Sequence, residues 1–193
     1  PGNVESYDSD YLSRDVMALI KHEGHERASV VGHDWGGAVA WHFAMRYPQN
    51  LKRLVILNCP HPAEFPTHLV LDPGQILKSL YMFIFQVPGL GERLMSHNNY
   101  AKLRRLFRNN PINPLAFTSD DIEKYIESAA RPGALTAMTN YYRAAARSIT
   151  GSGAVPVKPV HHPVLVIWGQ QDTALGPQLA NVSARLAADL TVK

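Results

Sequence analysis

The sequence predicts an α/β chain in which a parallel sheet is interrupted by an all-helical insertion. Two patterns carry that expectation. Short, continuous apolar runs bounded by turn residues recur at Ala28–Val31, Leu54–Leu57 and Pro163–Ile167, as in strands buried on both faces. Between the second and third runs, from about Phe65 to Thr150, periodic stretches have helical spacing and none reads as a strand. The chain has 193 residues, 46% of them apolar and 18% charged. This suits one compact domain and excludes disordered, collagen-like or low-complexity classes.

Taken in order, residues 1–8 read as loop, and Ser9 is placed to cap a helix running to about Glu23 and stopped by Gly24. Leu12, Val16, Leu19 and Ile20 recur on one face of it. The run Ala28–Val31 ends in Gly32 and reads as a buried strand; a helix from Gly36 to Tyr47 stops at Pro48. The strand Leu54–Leu57 is closed by the turn-rich segment Asn58–Pro62. Helices then fit 74–87, 99–109, 119–130 and 133–149, divided by Pro88, Pro111, Pro114 and Pro132. Gly151-Ser152-Gly153 reads as a linker, Pro163–Ile167 as the third strand, Pro177 to about Asp189 as a last helix, and Leu190–Lys193 as the start of a fourth strand.

Composition narrows function by exclusion. The net charge of +3 is modest and the Lys and Arg are scattered, which argues against nucleic acid as a partner. Cys59 is the single cysteine, so no intrachain disulfide forms, and a reducing, cytoplasmic setting is expected. The longest apolar stretch, Leu80–Phe85, is far short of the ~20 residues that cross a bilayer. No secretory signal opens the chain, which begins at Pro1 without an initiator Met and ends at Lys193 in a strand-like run. Both ends read as cuts, leaving open membrane association through a missing N-terminal segment.

The most informative residues are Gly32-His33-Asp34-Trp35-Gly36-Gly37, where a buried strand meets a helix. This is the spacing of a G-x-S-x-G nucleophile elbow with Asp34 in the serine's place. Side chains two residues before and after Asp34 are expected to collide in so tight a turn. The Trp35 amide, opening the helix, is a candidate oxyanion donor. A simple turn with a helix-capping Asp also fits these six residues alone. A carboxylate nucleophile is ionised at neutral pH without a base and attacks saturated carbon, leaving an enzyme ester that water then cleaves.

With these residues, the Pro60-His61-Pro62 turn, the helical block and Trp168-Gly169-Gln170-Gln171-Asp172, the sequence resembles the epoxide hydrolase and haloalkane dehalogenase branch of the α/β-hydrolase superfamily, closest to the epoxide hydrolases. The resemblance covers the whole chain. It implies a first part of the hydrolase core at 1–65, a helical cap at 66–151 and a second part of the core at 152–193. Asp172 follows a core strand and is expected to orient a catalytic histidine, although as a loop residue it also suits a cap for the helix after Pro177. The fold's chain order is nucleophile, acid, histidine. All nine histidines precede Asp172, so the base is expected to be absent from this chain, truncated before the catalytic His. The family's His-Gly-x-Pro oxyanion loop is not found either. The chain is therefore expected to be an internal fragment, inactive as given, with an unpaired sheet edge beside the strand at 28–33. His33 is read as structural support of the elbow, and His161-His162 as a strand-entry loop.

The cap separates the reactions that the resemblance allows. Its two phenols imply that Tyr81 and Tyr142 hold an epoxide oxygen; each also fits a core aromatic, and Tyr141 competes with Tyr142 for the role. Haloalkane dehalogenases resembling this pattern use a second Trp or an Asn with the Trp beside the nucleophile; the three tryptophans here are Trp35, Trp41 and Trp168, and none lies in the cap. Trp35 also follows the nucleophile where fluoroacetate dehalogenases carry Arg. Leu77, Leu80, Phe83 and Phe85 suit a lipophilic substrate or a helix–helix core. The basic stretch Lys102–Arg108 reads first as a solvated face and second as a membrane-surface contact. The expected function is epoxide hydrolysis through an ester on Asp34. A small lipophilic epoxide and water are the partners, with no metal or other cofactor. The alternatives are a haloalkane dehalogenase and a non-catalytic binding protein.

Overall fold

The computed structural model describes residues 2–150 and 157–193. The linker expected at Gly151-Ser152-Gly153 lies outside the described residues. The elements are α1 (Ser9–His22), β1 (Ala28–His33), α2 (Trp35–Arg46), β2 (Leu51–Leu57), α3 (Phe65–Leu71), α4 (Pro73–Lys78), α5 (Leu80–Gln86), α6 (Leu90–Asn109), α7 (Ser119–Ala130), α8 (Ala134–Thr150), β3 (Val164–Ile167) and β4 (Leu190–Val192).

The four strands are parallel in the order β1-β2-β3-β4. Register aligns Val30 with Leu54, Leu54 with Val164 and Val164 with Leu190. Leu54, Ile56 and Val166 are fully buried and pack with Trp41, Phe43 and Ala44 of α2 into the main core. The helices α3–α8 follow β2 as one block, and the described residues of 65–150 contain no strand. β1 is a terminal strand of the sheet, and its Val31 is 65% exposed. This is the unpaired edge expected beside 28–33.

Several elements differ from the sequence-based expectations. The cap of α1 is Asp8: its backbone is extended and its carboxylate accepts from the Asp10 amide at 2.9 Å. The buried face of α1 is Ser13, Met17 and Ile20, and Leu19, expected inward, is exposed. The stretch 74–87 is two helices parted at Ser79, and α3 precedes them. The helix at 99–109 is the second half of α6, which is broken at His97–Tyr100 by positive φ at Asn98, Asn99 and Tyr100; asparagine tolerates that conformation better than most residues.

The largest correction concerns 177–189, where a helix was expected and only the 3-10 turn Pro177–Ala180 forms. Tertiary partners take the amides that a helix would use. The Ser183 amide donates to the Glu64 carboxylate at 3.2 Å. Ala188 donates to the Val160 carbonyl, while Val160 donates to the Leu186 carbonyl. The apolar residues Val182, Leu186 and Ala187 are buried in the main core, and the Leu186 and Ala187 amides close only a single turn onto the Ser183 carbonyl, at 2.8 and 3.2 Å.

Candidate active site

The site is built where β1 ends and α2 begins. Asp34 has φ 52° and ψ −124°, a conformation that costs a non-glycine residue of order 1–3 kcal/mol and persists only where the surroundings enforce it. They do so here. The Asp34 amide donates to the Leu57 carbonyl at 3.3 Å, and its own carbonyl accepts from Gly37 and Ala38 at 2.9 and 3.1 Å, starting the helix. A Cβ on Gly32 would lie 2.3 Å from the Gly36 carbonyl oxygen, and one on Gly37 would lie 2.5 Å from Cys59 Cβ. Gly36, two residues after Asp34, faces open space. The sequence reading of a collision on both sides is thus corrected: the second tight glycine is Gly37, because β2's continuation at Cys59 presses on the helix there.

Asp34 itself is exposed. Trp35, beside it, stacks into an aromatic cluster with the helical block. Its ring centroid is 4.9 Å from Tyr142 and 5.6 Å from Tyr141. Tyr81 on α5 and Tyr142 on α8 lie 5.7 Å apart, edge to face, with Phe85 packed on both. The Trp35 and Tyr81 side chains act on the Tyr142 hydroxyl as hydrogen-bond donors would, lowering its pKa. Burial foremost, and the Asp34 charge in addition, raise both phenols above the ordinary tyrosine range, against the lowering of Tyr142 by its two hydrogen-bond donors. Tyr141 instead turns towards Tyr7, 5.0 Å away and edge-on.

Asp172 follows β3 in a loop that fixes both its oxygens. Oδ1 accepts from the Ala174 and Leu175 amides at 2.8 Å each, and Oδ2 accepts from Asn58 Nδ2 at 2.6 Å. Asn58, at φ 42°, also accepts from the Gly169 amide through Oδ1 at 3.1 Å. It therefore links the end of β2 to the loop after β3. The Asp172 charge, like that of Asp34, acts on Tyr81, so the two carboxylates and the Tyr81–Tyr142 pair share one electrostatic neighbourhood. Sequence reasoning treated Asn58 only as a turn residue. Its position at the carboxyl end of a core strand was the available signal.

His61 of the Pro-His-Pro turn is buried against Trp41, with ring centroids 4.7 Å apart, and its Nδ1 accepts from the Ala63 amide. Among the described residues no group of three or more His, Cys, Asp or Glu side chains is placed to hold a metal ion. Nor is any described helix long and apolar enough to cross a membrane.

A parallel sheet with an acidic elbow at its carboxyl end, facing aromatic residues from an inserted helical block, is the architecture of a capped hydrolase. The chain belongs to the alpha/beta hydrolase fold family, whose sequence model matches residues 1–193. It is 40% identical over 187 residues to the AB hydrolase superfamily protein YfhM of Bacillus subtilis (strain 168), covering 96% of this chain and 63% of that protein. It is 32% identical over 191 residues to human epoxide hydrolase 4, covering 95% of this chain and 51% of that one. The crystal structure of Bacillus megaterium epoxide hydrolase in complex with an inhibitor superposes with a TM-score of 0.87 at 29% identity, covering 100% of this chain and 69% of that chain. The chain thus spans roughly half to two thirds of these relatives.

Proposed function

We propose that this chain is the central part of an epoxide hydrolase. The observation that carries the reading is the pairing of Tyr81 with Tyr142, with Trp35 packed on Tyr142, next to a carboxylate held at φ 52°. In this reading Asp34 attacks an epoxide carbon, and the breaking C–O bond leaves its electron pair on oxygen. That oxygen takes a proton from the phenol pair. Both phenols are held above the ordinary tyrosine range, so they remain protonated donors at neutral and mildly alkaline pH. The product is an alkyl ester on Asp34. Water then adds to the ester carbonyl, with the Trp35 amide as oxyanion donor. A histidine beyond this chain, oriented by Asp172, takes the water's proton. The tetrahedral adduct expels the diol oxygen, which takes the proton of the new carboxyl group to leave a vicinal diol and ionised Asp34, and the histidine's proton returns to the phenolate left by ring opening.

The names of the human and Bacillus megaterium relatives support the substrate class. The two phenols paired beside Trp35, 5.7 Å apart, support an epoxide over a halide, since an opening epoxide oxygen needs a proton donor and a departing halide does not. The buried ring of Phe85, packed on both phenols, supports a lipophilic substrate, whereas Leu77, Leu80 and Phe83 are exposed and form neither a helix–helix core nor a wall of the site.

The test is intact mass of the full-length protein with its general-base histidine replaced. Incubation with styrene oxide should add the mass of one substrate, located on Asp34, and Asp34→Asn should abolish it. No mass increase in a folded protein rejects the covalent route. Adduct formation with 1-bromobutane and none with styrene oxide would instead make it a dehalogenase.

A further inference from the structure

The two phenols stand on different helices, and the tight geometry between them must come from whatever ties α5 to α8. Two side chains do this. Arg143 directly follows Tyr142 on α8 and is only 8% exposed. Its Nε donates to the Phe85 carbonyl at 2.9 Å and its Nη2 to the Val87 carbonyl at 3.4 Å, at the carboxyl end of the helix that carries Tyr81. Glu92 of α6 holds the guanidinium through both nitrogens, at 2.9 and 3.1 Å, and Asn140 Oδ1 accepts at 3.0 Å. Burial pushes the Glu92 carboxyl up. The hydrogen bonds from Arg143, its own backbone and Thr139 outweigh this and hold it below the usual carboxylate range, so the pair is ionic. From the other side, Gln86 of α5 donates through Nε2 to the Tyr142 carbonyl at 3.1 Å.

We infer that Arg143 and Gln86 are positioning residues: together they lock the helix bearing Tyr81 to the helix bearing Tyr142, and so set the two phenols for one oxygen atom. The inference rests on the epoxide-opening reading above and adds residues to it that touch neither substrate nor Asp34. A planar guanidinium is suited to this task. Its fixed fork satisfies two helix-end carbonyls and a carboxylate at once, which a lysine ammonium cannot reproduce. The phenols are needed only for ring opening, whereas ester hydrolysis depends on Trp35, Asp172 and the histidine. A positioning role therefore predicts an asymmetric defect, and a merely structural role predicts that both steps fail together.

The full-length protein, followed through a single turnover with styrene oxide by tryptophan fluorescence and intact mass, separates the steps. In Arg143→Lys, ester formation on Asp34 should slow about 100-fold, the scale of a small misplacement of a reacting group, while ester breakdown stays within about two-fold of wild type. Gln86→Met breaks the second tie without removing a buried charge and should show the same asymmetry at about 10-fold; it serves if Arg143→Lys does not fold. Equal slowing of both steps, or no slowing in the folded variants, overturns the inference while leaving the functional reading intact. Wild-type protein that forms neither ester nor diol overturns both.

Discussion

Asp34 occupies a backbone conformation that a non-glycine residue holds only under constraint; the bonds of its amide and carbonyl supply the constraint, and two glycines nearby leave room for the turn. The contacts at Gly32 and Gly37 and the open space at Gly36 give a sharp contrast. Gly32→Ala should cost about 3 kcal/mol or more, because backbone atoms stand in the way. Gly37→Ala should also be costly, through Cys59. Gly36→Ala should lie within about 1 kcal/mol of wild type. Chemical denaturation of the three variants checks the order, and a Gly36 defect as large as that of Gly32 would contradict it.

His61 supplies a pH dependence at the same scale. Burial is the main cause that lowers its pKa to about 4; Glu64 opposes this and His42 adds to it. The unfolded imidazole titrates near about 6.5. Above that pH both states are neutral and the contribution is fully present. Between there and pH 4 the unfolded chain binds a proton that the folded one refuses, so stability falls with falling pH, by about 3 kcal/mol in all. His61→Asn keeps an acceptor for the Ala63 amide and removes the titration. The stability difference between wild type and this variant should shrink from pH 7 to pH 4.5; a constant difference would show that His61 does not titrate in this way.

At the scale of elements, local pattern was informative where one residue class settles the backbone. β1, β2 and β3 stand where continuous apolar runs predicted them, but β1, expected to be buried, lies at the sheet's edge with only Gly32 buried and Val31 65% exposed, because the described residues supply no strand on its outer side. The helix expected over 177–189 failed because helical spacing of apolar residues shows only that they want burial. Here Glu64 and Val160 offered hydrogen bonds that an irregular path could use. The break in α6 had its signal in Asn98-Asn99, but a tolerated conformation is not a required one.

At the scale of the molecule, the helical block meets the sheet through polar contacts around Asp172. Gln75 of α4 is 1% exposed. Its Nε2 donates to Ser79 Oγ and the Ala174 carbonyl at 2.9 Å each, and its Oε1 accepts from the Gly176 amide at 3.0 Å. Lys78 adds a bond to the Asp172 carbonyl at 3.3 Å. Gln75→Leu would leave a buried amide and two buried oxygens without their partner, at a cost of about 3 kcal/mol. Denaturant midpoints should register that loss, and unchanged stability would mean that water replaces the side chain.

The sequence by itself determined the α/β class, the helical insertion and the acidic elbow at Asp34, because periodicity and short-range sterics are written in neighbouring residues. Tyr81 and Tyr142 became candidates through what the family resemblance implies, and Asp172 through that resemblance together with its place after a core strand. The sequence has no local signal that ranks neighbouring tyrosines. It pointed to Tyr142 over Tyr141 only through a family resemblance. The tertiary structure decided that Tyr142 meets Trp35 and Tyr81, that Asn58 clasps Asp172, that Gly37 is the second tight glycine and that Arg143 ties two helices. Each of these joins residues distant along the chain, and such contacts exist only once the sheet and helices have packed.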